Sequence, residues 1–248
     1  MTIAAIVQAR SASTRLPGKV MLPLQGHTVL AHVLARAARI PGVDVVCCAV
    51  PDHPSSEPIA AEARRAGAAV FRGSEDDVLA RYLGAAEAVG ADTVLRLTSD
   101  CPLIDPELCG RVLARLRESG ADFATNNMPP SWPHGLDCEA FPTAVLARAA
   151  TEARAADERE HVGPWMRRHP DLARVNVPGP GGARARLRWT LDHPEDYAFL
   201  VALFAHLPAW PRIATTAEIL AVLDAHPDLV ALNAARIDQG RLDAPPPS

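Results

Sequence analysis

Arg10, Arg15 and Lys19 share one short stretch, VQARSASTRLPGK over residues 7–19, in a chain whose formal charge is -4. Between them stand Ser11, Ala12, Ser13 and Thr14. Residues this small let backbone N–H groups approach an anion while the cations neutralise its oxygens. That combination suits a phosphate chain, here a triphosphate. The stretch is neither G-x-x-x-x-G-K-S/T nor G-x-G-x-x-G, so it is not a standard phosphate or dinucleotide loop. Lys19 is the single lysine among 25 basic residues, a compact charge with three rotatable donors where a guanidinium is a planar fork. An ordinary basic turn is the plain alternative.

Acids that could work with those cations lie far along the chain. In RLTSDCPLIDPE, residues 96–107, Asp105 precedes Pro106 and Glu107 and reads as a helix cap. Asp100 has no helix of its own to cap. A carboxylate there suits a magnesium ion that also binds phosphate, or a strand-end Asx turn. In RWTLDHPEDY, residues 188–197, Asp192 ends another apolar run. With Glu195 three residues on, it also fits a capping box, so metal ligand and cap both stay open.

Three further motifs carry polar groups. FRGSEDDVLARY, residues 71–82, reads as a strand end, Ser74 as cap and a helix, with Arg72 and Gly73 placed to meet a ligand. HGLDCE (134–139) and EREHV (158–162) hold Asp137, Glu139, Arg159 and His161. A solvated charge run explains the latter as well as a substrate pocket does. The histidines form no H-E-x-x-H and are assigned no metal.

The elements that would position these residues follow from periodicity. Apolar runs bounded by turns predict strands over 3–9, 43–50, 69–71, 93–97 and 122–126. Helical patterns occupy 27–40, 56–66, 75–89 and 106–119 between them. This alternation predicts an α/β fold with a doubly wound, mostly parallel sheet. Ligands of such sheets bind at the carboxyl ends of strands, where Gln8, Ala9, Arg10, Ser99 and Asp100 fall. The second half is less regular: a short strand over 136–141, helices over 143–155 and 158–168, a strand over 185–192, then helices over 194–206 and 216–225. One domain over 1–242 is expected, with 123–185 as an insertion and 243–248 as a disordered tail.

Bulk properties exclude several classes. At 248 residues with 48% hydrophobic residues, the chain can bury a core and is not disordered. Its net acidity argues against nucleic acid as main partner. No apolar run approaches the ~20 residues of a membrane span. Five cysteines without C-x-x-C predict neither zinc nor a disulfide framework, and a reducing cytoplasm is the expected setting.

With those motifs in place, residues 7–37 resemble the nucleotide-binding start of 3-deoxy-manno-octulosonate cytidylyltransferase and, more loosely, of N-acylneuraminate cytidylyltransferase. Together with FRGSEDDVLARY, TSDCPLIDP, GLDCE, EREHV and LRWTLDHPEDY, the chain is most similar to the spore coat polysaccharide biosynthesis protein F family. The resemblance implies a glycosyltransferase-A-like nucleotidyltransferase fold, Mg2+ as cofactor, and transfer of CMP from CTP to an acidic, nonulosonate-like sugar. It implies that Gln8, Ala9, Arg10, Ser13, Thr14, Arg15, Lys19, Arg72, Gly73 and Ser99 hold the nucleotide and that Asp100 and Asp192 hold the metal. Arg10, Lys19, Asp100 and Asp192 would carry the catalysis. Asp137, Glu139, Arg159 and His161 would face the acceptor, and a homodimer is implied. A nucleotide-sugar-dependent glycosyltransferase and a non-catalytic nucleotide-binding protein are the alternatives. Asp100-Cys101-Pro102 is a poor D-x-D for the former.

Overall fold

Strand β1 (Ile3–Gln8) is apolar along nearly its whole length, as a strand buried on both faces must be. Ala5 and Val7 point into one core, and Ala4 and Ile6 into the other. The structure is a computed structural model and describes residues 1–243. After β1 come a 3-10 turn at Lys19–Met21, the ribbon β2 (Pro23–Leu24) and β3 (His27–Thr28), and helix α1 (Val29–Ala37). Then follow β4 (Val45–Pro51), α2 (Glu57–Arg65), β5 (Ala69–Gly73), α3 (Val78–Ala88), β6 (Thr93–Thr98) and α4 (Pro106–Ser119). The second half comprises β7 (Phe123–Thr125), β8 (Glu139–Pro142), α5 (Thr143–Glu152), α6 (Ala156–His161), α7 (Gly163–Arg168), β9 (Arg174–Asn176) and α8 (Gly182–Ala185). Last come α9 (Pro194–Phe204), α10 (Thr216–Ala225), α11 (Pro227–Ala231) and α12 (Gln239–Leu242).

The seven-stranded sheet runs β5-β4-β1-β6-β8-β7-β9. β1 lies parallel to both β4 and β6, β8 is antiparallel to β6 and β7, and β9 is parallel to β7. The α/β, mostly parallel fold expected from the alternation is therefore present. Residues of α1, α2, α4 and α9 fill the core on one face, and those of α3, α5 and α7 fill the other. Register puts Gln8 beside Thr98, so the loops after β1 and β6 leave the sheet side by side. Among the described residues no helix is long and apolar enough to cross a membrane.

Several boundaries depart from the sequence reading for local reasons. The helix expected over 158–168 is two helices, broken at Val162, which adopts a left-handed φ of 66°. Pro164 cannot donate to the carbonyl one turn back, which interrupts the first helix. The helix expected from residue 27 starts at Val29 because Thr28 caps it, accepting from the Ala31 N–H at 3.0 Å. That expected from residue 75 starts at Val78 with Asp77, not Ser74, as cap; Ser74 Oγ instead accepts from the Asp77 N–H.

The strand expected over 185–192 is not one. Helix α8 ends at Ala185, and an extended run then passes His134 and Asp100 without joining the sheet. Its bonds are isolated and reach distant segments: Trp189 N–H to the His134 carbonyl at 2.7 Å and Leu191 N–H to the Asp100 carbonyl at 2.9 Å. Edge strand β9 was not foreseen, since Arg-Val-Asn carries a single apolar side chain. Of the tail expected over 243–248, only Asp243 is described, as the cap ending α12; the rest lies outside the described residues.

Tyr82 on α3 pins the carboxyl ends of β1 and β6. Its fully buried hydroxyl donates to the Leu97 carbonyl at 2.8 Å, with the Ile6 carbonyl 3.2 Å away. Tyr82→Phe leaves those strand-end carbonyls without the partner, so it is expected to lower unfolding free energy by about 1–2 kcal/mol in urea titration.

Candidate active site

β1 ends at Gln8, and the chain then loops until Gly18, whose φ of 66° turns it into the 3-10 turn that starts at Lys19. A side chain at Gly18 would be strained in that left-handed conformation. The turn aims Lys19 across the cleft. Its ammonium lies 2.6 Å from Asp100 Oδ2 and 2.9 Å from Asp192 Oδ1. Arg15 reaches the same Asp192 oxygen at 2.9 Å from a more exposed position. Arg10 stands 3.7 Å from Glu160 on α6. Residues separated by most of the chain thus form one ion-pair cluster.

Electrostatics keep both signs charged. Burial works against the Lys19 ammonium, but the Asp100 and Asp192 carboxylates outweigh it and hold its pKa above the usual lysine value. Burial likewise pushes the Asp192 carboxyl up, and Lys19, Arg188 and Arg15 reverse this and hold it well below the carboxylate range. Two carboxylates converging on one cation are the oxygen donors magnesium favours, with phosphate and water completing its shell. Among the described residues, no group of three or more His, Cys, Asp or Glu forms a self-sufficient metal cage. The donor set therefore fits an ion that arrives with phosphates.

The cleft encloses about 360 Å³. Gln8, Ala9, Arg10, Ser13, Thr14, Arg15 and Lys19 line one side, and Ser99, Asp100 and Asp192 line the other. His161 and Glu160 stand at its wall from α6. Arg72 and Gly73 do not reach it: Arg72 pairs with Glu57, and Gly73 packs against Phe71 and the Arg81 stem. Arg81 lines the cleft in their stead and was missed in the sequence. The available signal was a cation on the buried face of α3, beside Val78 and Tyr82. Burial lowers the Arg81 pKa, and its guanidinium donates to the Ser74 and Glu75 carbonyls.

The four expected acceptor-side residues separate. His161 is in the cleft, whereas Arg159 pairs with Asp77 and the Ala150 carbonyl. Glu139 is buried between Arg96 at 3.1 Å and Arg167 at 2.5 Å. Burial raises its pKa, and the two guanidiniums more than reverse that. Asp137 bonds Arg241 at 2.6 Å and lines a second cavity of about 620 Å³ with His134, Arg167 and Arg168. Glu139, which is buried, and Arg159, which is partly exposed, are each engaged in ion pairs that tie elements together and do not line the cleft.

The two aspartates with open readings resolve differently. Asp105 is the cap of α4, accepting from Glu107 N–H at 2.8 Å and Leu108 N–H at 3.2 Å. Asp192 is not a cap. His193 occupies that position, and the Asp196 carboxylate accepts the His193 and Asp192 N–H groups, each at 2.9 Å. Asp192 is thereby released to face the cleft.

The sequence family described as Cytidylyltransferase matches residues 4–220. The chain belongs to the cytidylyltransferase family. It is 33% identical over 232 residues to the spore coat polysaccharide biosynthesis protein SpsF of Bacillus subtilis (strain 168), covering 90% of this chain and 94% of that one. It is 38% identical over 224 residues to the 3-deoxy-manno-octulosonate cytidylyltransferase of Anaeromyxobacter sp. (strain Fw109-5), covering 87% and 80%. A cytidylyltransferase structure from Leptospira borgpetersenii serovar Hardjo-bovis (strain JB197) superposes with a TM-score of 0.87 at 29% identity, covering 93% of this chain and 97% of that one. As a cytidylyltransferase, the protein is an enzyme, and the sheet edge that carries the ion-pair cluster is its candidate catalytic edge.

Because the Asp192 carboxyl is held below its ordinary value, its pairing stabilises the folded enzyme at neutral pH, and this contribution is lost as pH falls through the carboxylate range and below it. Lys19→Met removes a main cause of that depression. Unfolding free energy of the variant should therefore rise less steeply than wild type between about pH 2 and 5 in stepped-pH urea titrations. Parallel profiles would contradict the pairing.

Proposed function

We propose that this cytidylyltransferase moves CMP from CTP to an acidic, nonulosonate-like sugar, with Mg2+ as cofactor and pyrophosphate as the leaving group. The observation that carries the reading is the Lys19 ammonium held between Asp100 and Asp192, with Arg15 on Asp192 and Arg10 on the same wall. Such a cluster is a set of charges that a triphosphate can exchange into. Phosphate oxygens take Lys19, Arg15 and Arg10, which frees the two carboxylates.

In the reaction, an acceptor hydroxyl attacks the α-phosphorus in line. A new P–O bond forms to the sugar as its hydroxyl proton passes to solvent, the bond to the bridging oxygen of the β-phosphate breaks, and pyrophosphate departs. The protein contributes position and charge and supplies no covalent nucleophile. Lys19 and the two arginines neutralise charge that grows on the departing pyrophosphate. Asp100 and Asp192 would hold magnesium, which supplies polarisation of the α-phosphate and charge neutralisation there. Gln8, Ala9, Ser13, Thr14 and Ser99 shape the nucleotide side of the cleft, where they line its walls.

His161 is the expected acceptor-side residue that lines the cleft, and Asp137 lines a second cavity together with Arg167 and Arg168, which are paired with Glu139 and Asp157. The relative from Anaeromyxobacter is named for an acidic sugar. The same reading assigns residues 123–185 to the acceptor side and to contact between two copies of the chain. Five free, buried thiols fit a cytoplasmic setting.

Pyrophosphate release measured for CTP, UTP, ATP and GTP against a panel of acidic sugars tests base and acceptor together. Release with CTP and an acidic sugar is expected; nucleoside diphosphate release from a sugar nucleotide would instead mark a glycosyltransferase. Asp100→Asn should keep the fold and lower the pyrophosphate rate on the order of 10²–10³-fold. Lys19→Arg preserves charge but replaces a point ammonium with a fork, so turnover should fall; unchanged kinetics would remove the special role of the lone lysine.

A further inference from the structure

Behind Asp192 lies a buried polar network that does not line the cleft. Asp196 is fully buried, and Arg188 and Asn233 are nearly so. Arg188 Nε donates to Asp196 Oδ1 at 2.8 Å and Nη2 to Asp196 Oδ2 at 2.9 Å, a bidentate pair. The same Nη2 donates to Asp192 Oδ2 at 2.9 Å. Asp196 Oδ2 also accepts the Asp192 N–H. Asp192 is thus held twice by one buried ion pair, by its main-chain N–H and by one carboxylate oxygen. Only Oδ1 is left for Lys19 and Arg15. Rotating the carboxylate would break the Arg188 bond in a setting where unpaired polar groups are costly.

Asn233 completes the arrangement from a distance. Its side-chain amide donates to Asp196 Oδ1 at 3.1 Å and to the Arg188 carbonyl at 2.9 Å. The family match ends at residue 220, so this contact comes from a segment outside the matched region. On the far side, Arg188 Nη1 meets His134 Nδ1 at 3.3 Å. Arginine can only donate, so that nitrogen accepts, and burial lowers the His134 pKa.

We propose that Arg188, Asp196 and Asn233 form a positioning network that aims one oxygen of Asp192 into the cleft, with the C-terminal segment supplying its last member. None of the three touches the nucleotide in this assignment; they act through Asp192. The proposal rests on the reading of Asp192 as the cleft acid in CMP transfer.

The test compares Asn233→Leu, which removes both donated bonds at similar volume, with Arg236→Ala, which removes a surface pair to Glu195 from the same segment. Each variant is assayed for kcat, KM for CTP, melting temperature, and Mn2+ affinity of the CTP complex by electron paramagnetic resonance without acceptor. Asn233→Leu should lower kcat and Mn2+ affinity about 10- to 100-fold while KM for CTP moves less than about twofold, and Arg236→Ala should match wild type. A purely structural role would lower the melting temperature alone, and that result overturns the proposal. If Asn233→Leu does not fold, Asn233→Ser retains one donor and should show an intermediate loss; wild-type kinetics and ion affinity there overturn it too. Wild-type enzyme that releases no pyrophosphate from CTP defeats the functional reading instead, and the Mn2+ comparison alone then decides the network.

Discussion

Everything at the candidate catalytic edge depends on one ammonium ion held between two carboxylates. Lys19, Asp100 and Asp192 come from distant parts of the chain, and each is more than half withdrawn from water. Charges in such a setting interact more strongly than in bulk solvent, but only if every one of them is paired. The cluster meets that condition internally, with Arg15 and Arg188 taking the remaining Asp192 contacts. In the proposed reaction, a polyanion arriving with a divalent cation would replace both sets of partners at once, cations to phosphate and carboxylates to metal, without leaving a buried charge bare.

The sheet exists, for this purpose, to bring those three side chains within bonding distance. Parallel pairing of β1 with β6 sets Gln8 beside Thr98 and so places the cationic loop against the Asp100 turn. The run that carries Asp192 gains its place differently, through main-chain bonds to His134 and to the Asp100 carbonyl and not through a ladder. The third member is therefore positioned by these isolated main-chain bonds together with the Arg188 and Asp196 side chains, and not by a sheet ladder, which fits the buried polar bonding gathered behind it.

That difference also explains what could be read from residues alone. β1, β4 and β6 are long apolar runs, and their parallel order followed from the alternation with helices. The cationic loop and the strand-end Asp100 stood out because their residue types suit a phosphate and its ion, beside the plainer readings of a basic turn and an Asx turn, whereas Asp105 was visible as a cap because Pro106 and Glu107 complete the pattern. Asp192 was ambiguous for a physical reason: Asp192 and Glu195 match a capping spacing, yet the carboxylate one residue further on does the work. Only the tertiary partner Arg188 separates those registers. Arg72 and Glu139 show the opposite limit, since ion pairing with Glu57, Arg96 and Arg167 decides where they point. No spacing rule carries that information. Arg81 stayed hidden because an inward-facing arginine on an amphipathic helix looks the same in sequence as one that snorkels to solvent.

The most direct measurement is a crystal structure of the wild-type enzyme with CTP and magnesium bound. The account predicts that Lys19 Nζ leaves the carboxylates for phosphate oxygens, while Asp100 and the free oxygen of Asp192 share the metal ion. A nucleotide bound with Lys19 still bridging the two aspartates, and the triphosphate lying elsewhere on the surface, would contradict it.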